Sequence, residues 1–123
     1  MKFYLYRIYK FEMDKDLYLN SIISLNPEII NEAKELDRNN NPDNLLYGIP
    51  ILVKDNINVE GMVTSAGASV FKDNLIDANS TVIKNLKINN ALILGKLNMS
   101  EWAYYFCRPC PVGYSSLGGQ TLN

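Results

Sequence analysis

Two short apolar runs, each followed by a lysine, constrain the fold of this 123-residue chain more than any other feature. The first run is Ile49–Val53, which leads into Lys54, and the second is Ala91–Leu94, which leads into Gly95 and Lys96. Continuous apolar runs of this length are typical of strands that are buried on both faces, as in α/β sheets. We therefore expect two neighbouring core strands that each end in a cation.

A helix predicted between the two runs makes these strands parallel. The helix is expected to begin after a capping residue, Asn79 or Ser80, and to end near Asn90, which suits the left-handed conformation that often follows a helix. Its apolar face is formed by Val82, Ile83 and Leu86. Strand, helix and strand in this order form a right-handed crossover between parallel strands. The fold class is therefore α/β.

The first 47 residues are predicted to be a helical lead-in, and residues 48–123 the start of the α/β core. Helix is favoured over residues 3–24 because Phe3, Ile8 and Phe11 roughly follow helical spacing, although the alternation near Phe3 leaves a strand possible. A second helix follows Asn26 as its cap and runs to about Asp37. Its apolar face is formed by Ile29, Ile30, Ala33 and Leu36.

Composition excludes several classes of function. An apolar share of 47% with 20% charged residues is that of a folded globular chain, and 123 residues form one domain at most. The net charge of −1 gives no electrostatic reason to bind nucleic acid or an anionic membrane surface. No apolar run approaches the roughly 20 residues that span a bilayer, and residues 1–11 do not resemble a signal peptide. The default location is the cytoplasm.

The chain has no histidine, which limits the possible catalytic bases. A Ser-His or Cys-His pair cannot form, so a base must be a carboxylate, lysine, tyrosine or cysteine. Lys54 is a candidate because burial favours the neutral amine that can accept a proton. The alternative is that Lys54 is an ordinary solvated charge at the end of a strand.

Four motifs in order resemble those of the amidase signature family. Residues 48–57 match the stretch G-[IV]-P-x-x-V-K-D-N-I, and residues 64–68 resemble the T-T-A-G-S that often follows it. Residues 95–101 match G-K-x-N-M-S-E, and residues 119–123 match the start of G-Q-T-x-N-P. The likeness covers roughly residues 17 to 123. It implies the N-terminal part of an amidase-signature fold, with helices packed on a mixed, partly parallel sheet that is incomplete in this chain.

The resemblance implies hydrolysis of carbon–nitrogen amide bonds by a serine–cis-serine–lysine triad. The family's catalytic lysine matches Lys54, which would accept a proton through the cis-serine and so activate the second serine. In the family both serines follow the G-Q-T-x-N-P loop, whereas this sequence ends at Asn123. Ser115 and Ser116 precede that loop and are interpreted as non-catalytic. The chain is then expected to hold one triad residue of three and not to hydrolyse amides alone.

The resemblance also carries expectations about ligands and partners. It implies a small-molecule amide substrate once the domain is completed, no cofactor and no metal, and association with the remainder of the domain or with a partner subunit. The loop after the second strand would line the acyl pocket, through Asn98, Met99, Trp102 and Ala103. The competing interpretation is that this loop pins the end of the strand and packs the core. Lys96 is outside the triad, and a solvated or hydrogen-bonding role is expected for it.

Two other classes of function stay open. Cys107-Arg108-Pro109-Cys110 could be the redox disulfide of a small CxxC thiol-disulfide oxidoreductase, although Pro111 argues against the helix that usually follows such a pair. In a cytosolic chain both cysteines are expected to be free thiols. The third possibility is a truncated, non-catalytic fragment or interaction module.

Overall fold

A computed structural model describes residues 1–12, 14, 16–39, 44–105 and 109–122. The helices are α1 (Lys2–Glu12), α2 (Ile29–Asn39) and α3 (Thr81–Ile88). The strands are β1 (Ile22–Leu25), β2 (Pro50–Lys54), β3 (Leu92–Leu97), β4 (Tyr114–Ser115) and β5 (Gly119–Gln120). Short 3₁₀ segments lie at Ser69–Phe71 and Glu101–Tyr104.

The crossover predicted from the two apolar runs is present. β2 and β3 pair in parallel, from Pro50 opposite Leu92 to Lys54 opposite Leu97, and α3 connects them. Asn90 has a φ of 61° after α3, as expected for a helix end. Ser80 precedes α3 as predicted, but its hydroxyl makes no capping hydrogen bond. The fold is α/β with a mixed sheet.

The prediction of one helix over residues 3–24 is wrong in its second half. α1 ends at Glu12, and Ile22–Leu25 forms strand β1, which pairs antiparallel with β3. The Glu12 carboxylate accepts hydrogen bonds from the backbone amide and the hydroxyl of Ser21, which ties the helix end to the start of the strand. Residues 1–47 are therefore not wholly helical, and they contribute an edge to the sheet, whose order is β1-β3-β2.

Apolar clusters cover both faces of this sheet. One cluster packs α3 against β2 and β3 through Val53, Ile83 and Ile93. The other packs α1 and α2 on the opposite face around Ile29 and Leu92. Packing on both faces explains why each strand contains a continuous apolar run, Ile51–Val53 in β2 and Leu92–Leu94 in β3, rather than an alternating pattern. No helix of the described part of the chain is long and apolar enough to cross a membrane.

Asn26 anchors α2 to the centre of the sheet. Its side-chain oxygen accepts a hydrogen bond from the Glu28 amide at 2.9 Å, which confirms a capping role, and the helix begins at Ile29. Its side-chain nitrogen donates to the Ile93 carbonyl at 3.0 Å, and its backbone amide donates to the Leu94 carbonyl at 3.0 Å. One residue therefore fixes the start of the helix and its distance from β3.

Candidate active site

Lys54 lies at the carboxyl end of β2, where its side chain is exposed. The residues on either side, Val53 and Asp55, are buried, so the strand end is fixed while the ammonium reaches solvent. Within the described residues, this ammonium makes no hydrogen bond or ion pair. Lys54 is thus solvated in residues 1–123, which agrees with the alternative of a charged strand end, and its catalytic role stays a prediction.

The Lys54 side chain shares a pocket of about 450 Å³ with the loop that follows β3. The carboxyl ends of parallel strands meet at one edge of the sheet, and such edges commonly form binding sites. Three of the four residues predicted to bind substrate line this pocket with Lys54, namely Asn98, Met99 and Ala103. The structure thus brings together residues that are more than 40 positions apart in the sequence.

Trp102 lines a neighbouring pocket of about 370 Å³. Its ring meets that of Phe71 edge to face, with the ring centroids 5.3 Å apart. Met99 and Ala103 line both pockets and so separate them. The four predicted binding residues therefore divide between two adjoining pockets. Phe71 also lines the second of these pockets, and it was not predicted from the sequence.

The backbone between these pockets is left-handed over three consecutive residues. Trp102, Ala103 and Tyr104 have φ values of 50°, 53° and 74°. Each such residue costs on the order of 1–2 kcal/mol when it is not glycine. The Trp102 amide donates a hydrogen bond to the Ala66 carbonyl at 3.0 Å, which helps to hold the segment in place. Strained backbone of this kind clusters at functional sites.

The Asn98 side chain is fully occupied by hydrogen bonds within the protein. Its oxygen accepts from the Met99 amide at 2.9 Å and from the Ser115 hydroxyl at 2.8 Å. Its nitrogen donates to the Gly119 carbonyl at 3.1 Å and to the Asn20 carbonyl at 3.4 Å. These bonds favour the interpretation in which Asn98 pins the end of β3, and substrate binding by Asn98 stays a prediction.

Ser115 and Ser116 do not line the Lys54 pocket. Ser115 is fully buried and accepts a hydrogen bond from the Gly118 amide at 2.8 Å. Ser116 is exposed, and its hydroxyl accepts hydrogen bonds from the amide and the hydroxyl of Ser69. Both hydroxyls therefore serve loop structure in the described residues, and neither lines the pocket that contains Lys54.

Lys96 is the buried lysine of the site, with 0% of its surface exposed. Its ammonium lies 3.3 Å from an Asp55 carboxylate oxygen and donates to the Thr64 hydroxyl at 2.9 Å and to the Val63 carbonyl at 3.2 Å. Burial lowers the pKa of Lys96, and the attraction of Asp55 offsets this only in part. The expected hydrogen-bonding role of Lys96 is thus observed, but its burial and its partner Asp55 were missed.

Asp55 connects this ion pair to the loop after β2. Its second carboxylate oxygen accepts hydrogen bonds from the Ser65 and Gly67 amides, each at 3.2 Å, and from the Ser65 hydroxyl. Gly67 has a φ of 76°, and a Cβ at this position would lie 2.7 Å from the Ser115 Cβ. The loop can therefore fold over Asp55 only with glycine at this position.

The lowered pKa of Lys96 predicts how stability changes with pH. The folded chain releases the Lys96 proton at a lower pH than the unfolded chain, whose lysines keep the ordinary value of 10.5. Between the two values the unfolded state binds more protons, so the free energy of unfolding is expected to rise with pH up to about 10.5. Urea unfolding at a series of pH values measures this rise. A Lys96→Met variant should lack it, and an equal rise in that variant would contradict the assignment.

The thiol-disulfide alternative depends on a cysteine pair of which Cys107 lies outside the described residues. Cys110 is disulfide-bonded, so the expectation that it is a free thiol is wrong. The Tyr104 hydroxyl donates a hydrogen bond to the Cys110 carbonyl at 2.9 Å. Oxidoreductase activity stays a prediction.

Comparison with known proteins gives one consistent result. The family model described as Amidase matches residues 4–123. A probable amidase of Arabidopsis thaliana is 32% identical over 111 residues, which are 85% of this chain and 22% of that protein. A glutamyl-tRNA(Gln) amidotransferase subunit of Methanocaldococcus jannaschii is 38% identical over 102 residues, which are 81% of this chain and 23% of that protein.

Solved structures give the same result at the level of the fold. The peptide amidase of Stenotrophomonas maltophilia superimposes with a TM-score of 0.91 and 38% identity, covering 99% of this chain and 25% of that enzyme. The chain therefore spans about a quarter or less of the length of these relatives.

Proposed function

The chain belongs to the amidase signature family, and we propose that it supplies the lysine-bearing N-terminal portion of an amide hydrolase. Lys54 is the catalytic lysine of this proposal. Its two serine partners come from outside residues 1–123, so these residues do not hydrolyse amides by themselves. The substrate class is a small-molecule amide, with no cofactor or metal.

The observation that carries the proposal is the position of Lys54. It lies at the carboxyl end of a parallel strand, with its ammonium unpaired among the described residues, in a pocket shared with Asn98 and Met99. Structural lysines in folded proteins are commonly held by a carboxylate, as Lys96 is here. An ammonium that is held on a fixed strand but left without a partner is free to exchange a proton with a neighbouring hydroxyl.

A lysine accepts a proton only in its neutral form, which the exclusion of water favours. Lys54 is exposed in residues 1–123, so the proposal requires that further parts of an amidase domain, or a partner subunit, cover its pocket. In the complete domain, Lys54 would take a proton through the bridging serine as the second serine attacks the amide carbonyl, and the same relay would return it to the leaving amine.

The loop after β3 would bind the substrate beside Lys54. We assign the contacts to Met99 and Ala103, which line both pockets, and to Trp102, which lines the pocket next to the Lys54 pocket. Asn98 would act through its hydrogen bonds to Met99 and Ser115, which set the path of the loop. The pocket that Trp102 lines has a mixed lining, and its apolar side chains Phe71, Met99 and Trp102 suit an apolar acyl group.

A chimera tests the proposal directly. Residues 1–123 would replace the matching quarter of the Stenotrophomonas maltophilia peptide amidase, and turnover would be measured on an amide that the intact host enzyme hydrolyses. We expect hydrolysis by the chimera and none by the isolated 123-residue chain. A folded but inactive chimera would refute the proposed role of Lys54, and turnover by the isolated chain would refute the need for additional serines.

Ser115→Ala separates the loop role of this serine from a catalytic one. The change removes the hydrogen bonds with Asn98 and Gly118, so the free energy of unfolding is expected to fall by about 1–3 kcal/mol. Turnover of the chimera below the new melting temperature should fall by about tenfold at most, because one of the hydrogen bonds that set the path of the substrate-binding loop is lost. Urea unfolding and initial rates measure the two effects, and loss of turnover in a folded variant would make Ser115 a candidate nucleophile.

A further inference from the structure

The buried ion pair between Asp55 and Lys96 lies directly beside the residue assigned as the base, but takes no part in the proposed proton transfers. Asp55 follows Lys54 in the chain, and Lys96 lies on β3 next to Leu97, which is opposite Lys54. The side chains of the pair are only 2% and 0% exposed, so both charges are removed from water. An ion pair this close to a candidate base needs a physical explanation.

Stability alone does not explain this pair. Removing two charges from water commonly costs as much as their attraction returns, and apolar replacements of buried pairs are often neutral or stabilising. The lowered pKa of Lys96 agrees with that balance, because burial outweighs the attraction of Asp55. What apolar side chains could not reproduce is the set of directed bonds that the two charges make.

Those bonds tie three segments together around Lys54. Lys96 binds the loop after β2 at Val63 and Thr64, and Asp55 binds the same loop at Ser65 and Gly67. Three backbone hydrogen bonds complete the arrangement: Asp55 amide to Leu97 carbonyl at 3.1 Å, Ile57 amide to Lys54 carbonyl at 3.0 Å, and Ala66 amide to Asp55 carbonyl at 3.1 Å.

We propose that the Asp55–Lys96 pair positions the catalytic lysine, by fixing the carboxyl ends of β2 and β3 and the loop 63–67 as one unit. Asp55 and Lys96 are positioning residues that touch neither substrate nor reacting atoms. This inference rests on the proposed function of Lys54. The geometric part of the inference, a locally ordered strand end, can be measured without any turnover.

Hydrogen exchange on the 123-residue chain tests the geometric part. The double variant Asp55→Asn/Lys96→Met removes both charges with nearly unchanged side-chain volume. We expect the Ile57 and Ala66 amides to exchange about tenfold faster, because the local opening that exposes them becomes easier. The Asn26 and Leu92 amides, which bond at the other end of the sheet, report on global stability and should keep their protection.

Each other exchange pattern overturns the inference. Unchanged protection at Ile57 and Ala66 would mean that the pair orders nothing, and an equal loss at all four amides would mean that it only stabilises the whole fold. Thr64→Val, which removes one acceptor of the Lys96 ammonium, serves if the double variant does not fold. It should produce the same local pattern with a smaller change.

Kinetics of the chimera test the link to Lys54. The double variant is expected to lower kcat about tenfold or more with little change in KM, because misplacing a catalytic group costs rate rather than substrate binding. An inactive parent chimera would refute the proposed function and leave the exchange result standing. An active chimera whose kcat the double variant does not change would refute the positioning role.

Discussion

Lys54→Ala in the chimera is expected to lower kcat by about 10²–10⁴-fold, the usual contribution of a positioned general base. Alanine removes the amine to which the proposal assigns the proton of the serine hydroxyl. In the isolated 123-residue chain, where the side chain is exposed and unpaired in the described structure, the same change should alter the melting temperature little. Initial rates of the chimera and thermal unfolding of the isolated chain measure the two effects.

Lys84→Ala is the matched control for this prediction. Lys84 is an exposed lysine on α3, and its loss removes the same charge without touching the pocket. Small primary amines added to the Lys54→Ala chimera should restore part of the rate if the missing group is a base. Full activity of Lys54→Ala, or an equal loss in Lys84→Ala, would contradict the assignment.

The core of the fold was predictable because its sequence signals are local. Ile49–Val53 and Ala91–Leu94 are continuously apolar, and apolar clusters pack on both faces of the strands that these runs form, with Ile49 just before β2 left 44% exposed. Asn90 marks the end of α3 because a left-handed residue is needed there and asparagine tolerates it. Each of these features depends on a few neighbouring residues, which a single sequence displays.

Strand β1 was not predictable from local pattern. Ile22–Leu25 is only four residues long, and its side chains are at most partly buried. It becomes a strand because β3 offers an unpaired edge and because Gly95 lets the two backbones approach. A Cβ at Gly95 would lie 2.4 Å from the Ser24 carbonyl oxygen. That reason lies some 70 residues away in the sequence, so tertiary pairing overrode the local helical spacing.

The structure buries Lys96 and exposes Lys54, and this difference also depends on residues that are distant in the sequence. Lys54 and Lys96 both follow apolar runs, but Lys96 lies on the central strand and is covered by the loop 63–67, whereas Lys54 ends an edge strand. The motifs identified Lys54 as the residue of interest, but the pattern could not show that its neighbour Asp55 would be paired with Lys96. Side chains that meet through a loop leave no periodic signal.

The single variants Lys96→Met and Asp55→Asn are each expected to lower the free energy of unfolding by about 3–5 kcal/mol, the usual cost of breaking a buried pair from one side. Lys96→Met leaves the Asp55 carboxylate buried with only its loop donors. Asp55→Asn leaves an ammonium with 0% exposure facing neutral acceptors. Urea unfolding of both variants at neutral pH measures these losses.

The double variant completes a thermodynamic cycle. Asp55→Asn/Lys96→Met leaves no unpaired charge. The fall in the free energy of unfolding of this double variant should therefore be well below the sum of the falls in the two single variants. Lys87→Met, at an exposed position of α3, controls for replacing lysine with methionine and should change stability by less than about 0.5 kcal/mol. Additive single losses would show that the two side chains are energetically independent. Strong coupling together with a stable double variant would mean that residues 1–123 can fold without this ion pair. The property that depends on the ion pair would then be the local order of the strand end beside Lys54.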